Sequence, residues 1–464
     1  MVVSLKTMSV SIVNRNFKSD KINLTLLCKP LTYFVPYILV TVLISFFGPK
    51  IYQDYDKRSV LIYISSFLIL FSFGYYLGLK GITTGGHHTR SLNEKSKSSN
   101  IMILLRCCII IAFFTVLIHF LSALFAGKIT LSLTSIGQNY QDFYTERRST
   151  GKTSFSEFIN FFCGFPRLVV MVLGLYYFKE LTKIYKFLVI AVLALWVITN
   201  TLSFGNQKTV GDIVIYIAVV SSIRMLDVSP MKRNIIYIQL IGLAVIFLVF
   251  FSVVQYQRLI AVGTTVANID ERMNLFTGFN WDHAFFRLLG PDAGFALAIF
   301  TTGYLSGGYY GLSLCMQLPF VWTFGVGNSY SLMAFLDRYL GIHSLLDKTY
   351  LLRMENEIGW NGLMAWNTLF PWLASDLTFV GALIIFIPIA YVYAVCWKEI
   401  VRYRNPISIL MFSMLTMGLI FVPANNQLLH GYDGFITTII MTGLWLMLHK
   451  KYNHKINIYK RSLK

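Results

Sequence analysis

Long apolar stretches alternate with short polar stretches along the chain. Each apolar stretch holds about 15 to 26 residues, enough for a somewhat tilted α-helix to cross roughly 30 Å of hydrocarbon. The ten stretches lie near residues 31–47, 60–79, 101–126, 160–178, 187–203, 210–226, 235–255, 377–397, 407–424 and 434–448. This pattern predicts an all-α polytopic membrane protein with ten spanning helices.

One further passage is apolar but interrupted. Between Ala293 and Leu336 no residue is charged, yet a glycine-rich turn at 307–311, Pro319 and another glycine-rich turn at 325–328 break the pattern. Two short spans here would give twelve crossings, and a re-entrant segment over 293–336 would leave ten. A cytoplasmic turn normally carries Lys or Arg, and 307–311 has neither, so we expect the re-entrant form. Irregular backbone at that depth needs a cover of protein or water, so this segment is expected to line a cavity.

Composition agrees with a membrane location. Only 13% of residues are charged and 56% are hydrophobic, whereas soluble domains carry about 25% charged residues. The formal net charge is +19, but the basic residues lie between apolar stretches rather than along one face, so no nucleic-acid partner is expected. The six cysteines have no spaced His or Cys partners, which argues against a disulfide framework and against a zinc site.

The basic residues predict the orientation. With a cytoplasmic N-terminus, 25 of the 40 Lys and Arg residues fall on the cytoplasmic side and 16 of the 21 acidic residues fall outside, as the positive-inside rule requires. The polar, basic start of the chain favours an uncleaved anchor at 31–47 over a cleaved signal peptide. The predicted organisation is one integral membrane domain over 1–464, with cytoplasmic tails at 1–30 and 450–464 and large external loops at 127–158 and 256–376.

The beginning of the loop after the seventh stretch, residues 258–292, carries three arginines: Arg258, Arg272 and Arg287. A guanidinium binds phosphate bidentately and stays charged when partly desolvated. Facing one cavity, these side chains would hold a lipid pyrophosphate. The alternative is a salt-bridged surface loop, because Asp270 and Glu271 directly precede Arg272 and mixed charges are usually solvated.

Other candidate positions allow two interpretations each. The tryptophans around 360–372 suit the faces of sugars, but membrane interfaces also collect tryptophan. Asp54 and Asp56 would suit a divalent metal, yet Lys57 and Arg58 follow them, so we favour a solvated loop and expect no metal and no cofactor. Arg167, inside an apolar stretch, indicates either a functional site or a buried pair with an acid.

Several segments resemble a known family. Gly308-Tyr309-Tyr310-Gly311-Leu312-Ser313, then Pro319-Phe320, and Thr323-Phe324-Gly325-Val326-Gly327-Asn328-Ser329 are similar to bacterial oligosaccharide repeat-unit polymerases, the Wzy or O-antigen polymerases. The stretch from Trp366-Asn367-Thr368 through Asp376 to Gly381 looks like the segment that these enzymes carry before their last helices. Many spans with large late external loops fit the same family.

The resemblance implies a membrane glycosyltransferase of the O-antigen ligase and polymerase type. It would work at the periplasmic face of the bacterial inner membrane, with both termini cytoplasmic. Its substrates would be oligosaccharides carried on undecaprenyl pyrophosphate, and the growing chain would pass to the next lipid-linked unit without a metal. A chain-length regulator and a flippase of the same pathway are the protein partners that this implies.

The resemblance also implies roles for particular residues. External arginines would hold the pyrophosphate and a base would activate the acceptor hydroxyl. The expected catalytic residues are Arg258, Arg272, Arg287, His283, His343 and Asp376. The expected substrate-binding residues are Tyr309, Tyr310, Arg353, Trp360, Trp366 and His430. The base itself stays open among His283, His343, Asp376 and His430.

Two other functions, an O-antigen ligase and a flippase, would also fit a polytopic membrane protein of this kind. An O-antigen ligase shares the leaving group, but related ligases carry His-Asn where this sequence has Trp366-Asn367. A flippase for lipid-linked oligosaccharides would place its charges along a cavity within the spans. The concentration of ionisable residues in the external loops therefore favours the polymerase.

The orientation is testable by labelling. Cysteines introduced at Asn268 and Asp347 should react with a membrane-impermeant thiol reagent in intact spheroplasts, because the charge distribution places 256–376 outside. A cysteine at Ser96 should react only after lysis. Protection of both external positions together with labelling at Ser96 would invert the predicted topology.

Overall fold

The structure is a computed structural model. It describes residues 24–80, 94–129, 136–140, 142, 159, 162–261, 263–266, 268–269, 276–342, 344–362 and 366–462, with the backbone alone for 94–100 and 449–462. Within these ranges the regular structure is helical apart from one two-stranded ribbon, in which β1 (Lys50–Tyr52) pairs antiparallel with β2 (Thr277–Phe279).

Seven α-helices whose two ends both lie in the described residues precede the large loop, and nine more lie within or after it. They are α1 (Leu24–Phe47), α2 (Lys57–Leu79), α3 (Glu94–Phe125), α4 (Gly164–Val169), α5 (Lys183–Ile198), α6 (Lys208–Arg224) and α7 (Pro230–Ala261). Single π-helical turns extend α4 through Gly174 and α5 through Ser203.

Nine helices follow, and the first five are short. They are α8 (Ala284–Leu289), α9 (Pro291–Ala298, extended by a π-helical turn to Tyr304), α10 (Gly308–Cys315), α11 (Tyr330–Leu340) and α12 (Tyr350–Arg353, extended to Ile358). The last four are α13 (Leu369–Ile384), α14 (Phe386–Tyr403), α15 (Pro406–Ile420) and α16 (Tyr432–Ser462).

The helices confirm a multi-pass membrane protein. Six of the described helices are long and apolar enough to cross a bilayer, and the bent pair of α13 and α14 makes a seventh. Shorter apolar helices at Gly164–Gly174, Pro406–Ile420 and Tyr432–Leu448 coincide with the three remaining predicted stretches. The all-α, membrane-spanning prediction is therefore confirmed, while the number of ten crossings stays a prediction.

Helix α7 shows why lipid is the required surroundings. Only 6% of its most apolar window is buried within the protein. Large aliphatic side chains such as Ile238, Ile241 and Ile246 are each at least 65% exposed. A continuous apolar face of this size is unfavourable in water and suits the hydrocarbon of a bilayer.

The centre of the bundle is a close contact between α2 and α14. A Cβ on Gly74 would lie 2.3 Å from the Ile387 carbonyl oxygen, and a Cβ on Gly78 would lie 2.6 Å from that of Tyr391. Small residues four apart let two helix backbones approach in this way, which helps helices to associate in lipid. Buried phenylalanines pack around the contact, with the rings of Phe67 and Phe386 centred 4.7 Å apart.

The two ends of the bundle are held by separate sets of contacts. At one end Arg404 pairs with Asp227 at 2.7 Å, and Arg224 donates to the Tyr176 carbonyl. We name the opposite end the loop end: it carries residues 48–56, 204–207, 421–431 and the described parts of 256–368. The contact between His283 and the Phe47 carbonyl is one of those that join its segments.

A break at Thr378 explains the bend between α13 and α14. Thr378 has φ +65° and ψ 167°, whereas Ile385, which separates the two helices, keeps helical angles. The Thr378 hydroxyl accepts a hydrogen bond from the Gly381 N–H at 3.3 Å and caps the following helix. The spanning helix therefore begins near 378, close to the predicted boundary at 377, and 369–377 forms a separate buried turn of helix.

The interrupted passage folds into short helices. Helix α10 has eight residues, all buried, and its length of about 12 Å is too short to cross a bilayer. It contacts α1, α2 and α13 inside the bundle. This arrangement is compatible with the re-entrant segment predicted over 293–336, which stays a prediction.

Close packing at α10 yields a stability test. A Cβ on Gly308 would lie 2.2 Å from the Pro423 carbonyl oxygen and 2.7 Å from the Thr368 nitrogen. Gly308→Ala should therefore lower the free energy of unfolding by about 1–3 kcal/mol, as overpacking does.

Gly242→Ala is the matched control, because nothing lies within 4 Å of where its Cβ would stand on the lipid-facing α7. That change should be neutral or slightly stabilising. Thermal unfolding of the purified protein in detergent, followed by tryptophan fluorescence, measures both. Equal midpoints for the two variants would contradict the tight contact at α10.

Candidate functional site

Arg258 lies near the end of α7 in a niche at the loop end. Its guanidinium donates to the Gly205 carbonyl, stands 3.7 Å above the centre of the Tyr140 ring and reaches the Tyr304 hydroxyl at 3.5 Å. Gln255, one turn earlier on α7, also donates to Tyr304. Aromatic and carbonyl contacts fix the direction of the guanidinium without neutralising it.

The turn that meets Arg258 depends on a glycine. Gly205 has φ +59°, and a Cβ there would lie 2.5 Å from the Ile136 carbonyl oxygen. Only glycine adopts this conformation without a steric cost, so it lets the turn at 204–207 approach both Tyr140 and Arg258. No described carboxylate pairs with Arg258, so its charge is available to an anion from outside the fold.

Trp366 belongs to the same niche. Its ring is centred 4.7 Å from the ring of Tyr304, whose hydroxyl contacts Arg258. The structure therefore joins two predicted residues from distant parts of the sequence, a cation and a partly exposed aromatic, through a tyrosine that the sequence did not single out. A cation beside an exposed ring suits a charged ligand that carries sugars.

A network of ion pairs lies beside this niche. Arg167 on α4 is buried and pairs with Asp433 of α16 at 3.3 Å, while Lys208 pairs with Asp212 at 2.6 Å on α6. Asp433 is close enough for its charge to act on Lys208 as well. The Arg167 guanidinium also lies 4.2 Å from the centre of the Trp196 ring.

The network adjoins the Arg258 niche along the chain. Lys208 follows Gly205 by three residues, and Gly205 is the carbonyl partner of Arg258. Together these groups form what we call the cation cluster: Arg167, Lys208 and Arg258 with Asp212 and Asp433. Three cations face two carboxylates, so one positive charge is left uncompensated within the cluster. Lys208 and Asp433 are each about half exposed, so the cluster can be reached from the surface.

Tyr310 and Trp360 are brought together in a buried aromatic cluster. The Tyr310 ring stacks on Tyr52 at 4.6 Å and meets the edge of Trp360 at 5.0 Å. Neither the Tyr310 hydroxyl nor the Trp360 N–H has a partner among the described residues. Tyr309 points elsewhere and bonds the Thr41 hydroxyl at 2.9 Å. Because these rings are buried, they pack the loop end rather than present an open surface to sugars.

The Asp376 carboxylate is enclosed by the segment 323–328. One oxygen accepts from the Thr323 hydroxyl and from the N–H groups of Gly325 and Gly327, at 2.5, 2.8 and 3.2 Å. The other accepts from the backbone and side-chain N–H groups of Asn328, at 3.1 and 2.6 Å. Phe324 and Gly325 have positive φ, which turns successive N–H groups towards one anion. Asp376 therefore organises this loop.

His283 and Arg353 also have partners within the fold. The Nδ1 atom of His283 accepts from the Phe285 N–H at 3.2 Å, which leaves Nε2 to donate to the Phe47 carbonyl at 3.1 Å. Arg353 pairs with Glu357 at 2.8 Å and donates to the Pro319 carbonyl at 2.6 Å. Both side chains hold neighbouring segments together.

The remaining predicted residues lie apart from the niche. His430 packs between Tyr330, stacked at 5.5 Å, and Trp372, edge-on at 4.9 Å. Arg287 is exposed on α8 and has no described partner. Arg272 and His343 lie outside the described residues.

The loop between α1 and α2 uses its acids for local structure. Asp56 caps α2 by accepting from the Ser59 N–H at 3.0 Å, and the hydrogen bonds from Ser59 hold the pKa of the Asp56 carboxyl below its usual value. Asp54 occupies a left-handed turn with φ +49°. A capping role accounts for Asp56, in agreement with a loop that uses its acids for local structure.

Sequence reasoning missed three members of the cation cluster: Lys208, Asp212 and Asp433. Each lies in the first turns of an apolar helix. A charged residue at that position is common where a spanning helix meets the membrane surface, so the sequence did not mark it as part of a site. The usable signal was Arg167, since a buried arginine requires an acid, and Asp433 is that acid. Only the packing of α4 against α16 reveals the pair.

The role of Asp376 is testable by stability rather than activity. Asp376→Asn replaces one acceptor oxygen with an N–H₂ group that faces two or three of the five donors, so we expect the free energy of unfolding to fall by about 2–3 kcal/mol. Asp282→Asn, at an exposed turn where the side chain makes no described hydrogen bond, should leave stability unchanged. Thermal unfolding in detergent compares the two. A normal midpoint for Asp376→Asn with lost activity would instead restore a chemical role.

Comparison with known proteins adds no assignment. No family model matches the chain, and it matches neither a curated protein nor a solved structure. Inference about function therefore rests on the fixed and uncompensated charge at the loop end, on its aromatic neighbours, and on the membrane-spanning fold that carries them.

Proposed function

We propose that this protein is a membrane glycosyltransferase that polymerises oligosaccharide repeat units carried on undecaprenyl pyrophosphate. The observation that supports it most is Arg258, a half-buried cation at the loop end with no described carboxylate partner, next to Tyr304 and Trp366. Such a site suits an anionic leaving group at the membrane surface with a sugar attached. The resemblance of 308–329 and 366–381 to repeat-unit polymerases supports the same assignment.

The charge distribution supports a periplasmic site. The end of the bundle opposite the loop end carries Arg224, Lys398 and Arg404, and most other basic residues flank the same helix ends in the sequence. The positive-inside rule places that end in the cytoplasm. The loop end then faces the periplasm of the bacterial inner membrane, where lipid-linked oligosaccharides are polymerised.

The proposed reaction is a glycosyl transfer. A hydroxyl of the acceptor sugar attacks the anomeric carbon of the donor chain, the bond from that carbon to the pyrophosphate oxygen breaks, and the hydroxyl proton passes to a base. Negative charge grows on the departing pyrophosphate, and a preoriented guanidinium stabilises it most in the transition state. Arg258 has the required fixed direction because Tyr140 and Gly205 hold it.

Two predicted bases are less suited to that role. Both nitrogens of His283 and both oxygens of Asp376 are engaged within the fold, and a group that already uses its lone pairs accepts a proton poorly. We therefore assign these two residues to holding the loop end in shape. His343 remains a candidate base from the sequence.

A lipid-linked oligosaccharide flippase is the second candidate, and one observation favours it. The pair Arg167–Asp433 links α4 to α16, and the pair Lys208–Asp212 lies on α6; polar networks of this kind line transport paths in membrane proteins. A flippase would need these pairs to open towards both membrane faces. A polymerase needs them only as a rigid support for Arg258.

Deletion of the gene in its host separates these functions. A polymerase mutant should display surface glycolipid with a single repeat unit on a gel. Loss of all capping would indicate a ligase, which uses the same leaving group. Accumulation of lipid-linked units on the cytoplasmic side would indicate a flippase.

Substitution of Arg258 tests the mechanism. Arg258→Lys keeps the charge but loses the planar fork, so polymer formation should fall on the order of 100-fold while insertion stays normal. Arg287→Lys, at an exposed arginine, is the matched comparison and should cost much less. Gel analysis of complemented deletion strains at equal protein level measures both. Full-length polymer from Arg258→Lys would show that Arg258 does not hold the leaving group.

A further inference from the structure

A cavity lies at the loop end, between the end of α1 and the β1–β2 ribbon. It encloses about 250 Å³ and is lined by eleven residues. Its polar lining residues include Lys50, Lys57, Asn280 and His283, and Tyr52 and Tyr55 form part of its wall. Of the described residues that the sequence predicted for the site, His283 lines this cavity.

The cavity carries positive charge without an acid in its lining. The Lys50 ammonium lies 5.2 Å from the centre of the Tyr52 ring and makes no hydrogen bond or ion pair with a described residue. Lys57 donates to the Phe46 carbonyl at 2.8 Å, a neutral acceptor. The only other titratable lining groups are His283, which bonds a carbonyl, and the two tyrosines.

An anion in the cavity would meet a cation that no described acid neutralises. Burial lowers the pKa of Lys50 to about 8, because the ammonium loses water and no described carboxylate replaces it. A phosphate oxygen in the cavity would restore a charge-assisted hydrogen bond. The donors of Lys50 and Asn280 and the rings of Tyr52 and Tyr55 suit a phosphate joined to a sugar or a lipid.

The cavity and the Arg258 niche lie on opposite sides of one helix, the π-helical turn from 299 to 304. Thr302 faces the cavity, since its methyl group limits the space at Gly48 and its carbonyl accepts from the Tyr52 hydroxyl at 3.1 Å. Tyr304 faces the other way and contacts Arg258. The turn from 299 to 304 therefore contacts the cavity wall through Thr302 and the Arg258 niche through Tyr304.

We propose that this cavity binds the pyrophosphate of a second lipid-linked substrate, with Lys50 as the principal cation. A polymerase joins two substrates that both carry a lipid pyrophosphate, so it needs one site where that group leaves and one where it is retained. Arg258 serves the donor, and Lys50 serves the acceptor. The acceptor role rests on the proposed function, whereas binding of the anion does not.

Native mass spectrometry of the full-length protein in detergent tests binding, with farnesyl pyrophosphate as the probe. The unmodified chain should bind two equivalents. Lys50→Gln and Arg258→Gln should each bind one, and the affinity of the lost site should fall about tenfold or more. Lys80→Gln, a lysine at the opposite end of the bundle, is the control and should bind two.

Chemical protection gives a measurement that needs no variant. Lys50 should be acetylated by acetic anhydride in the free protein and protected by farnesyl pyrophosphate, while Lys80 should react equally with and without the probe. Peptide mass spectrometry reads both sites. Unchanged acetylation of Lys50 together with two equivalents bound to Lys50→Gln would overturn the proposal.

The remaining outcomes separate the two proposals and the two sources of phosphate. If Lys50→Gln loses one equivalent and Arg258→Gln loses none, the cavity stands and the donor site fails. If phosphatidylglycerol or inorganic pyrophosphate protects Lys50 as well as the prenyl probe does, the acceptor role is overturned in favour of a phospholipid headgroup or a free anion.

Discussion

In a bilayer, a backbone group without a hydrogen-bond partner finds no water to replace it, and this constraint governs the whole chain. Helix α1 contains Pro30, which cannot donate to the Leu26 carbonyl. Trp397 of α14 donates to that carbonyl at 2.9 Å. Tyr37 does the same for the Ile420 carbonyl at the end of α15, at 2.6 Å. Side chains of neighbouring helices thus donate hydrogen bonds to carbonyls that lack a donor within their own helix.

The same constraint explains the irregular backbone at the loop end. The chain leaves regular helix between 316 and 329, and the N–H groups released there converge on Asp376. Thr378 then caps the next spanning helix. The Asp376 carboxylate therefore satisfies the N–H groups of the loop, and the Thr378 hydroxyl caps the helix that begins after the break. The glycines of 325–327 are part of this device, because an anion nest requires backbone N–H groups that point to one side.

Charges at the loop end follow a different logic from charges in the core. Arg167 is buried, and its pairing with Asp433 offsets the cost of its desolvation. Arg258 and Lys50 instead contact rings and carbonyls, which orient a cation but leave its charge uncompensated. A protein that retains such groups beside cavities gains little stability from them. Both enter the proposed reaction as groups that bind anions.

The sequence by itself determined the all-α membrane-spanning class and the positions of the long apolar helices, because a 30 Å hydrocarbon layer requires a minimum apolar length that is visible locally. It also indicated Arg258 and the uncharged passage that became α9 and α10. Only the tertiary structure decided that Tyr304 joins Arg258 to Trp366, and that Asp376 closes a loop. Those contacts link residues far apart in the chain, and no local pattern encodes which helix ends meet. Lys50 shows the same limit, since its isolation from carboxylates exists only once the ribbon and α1 enclose it.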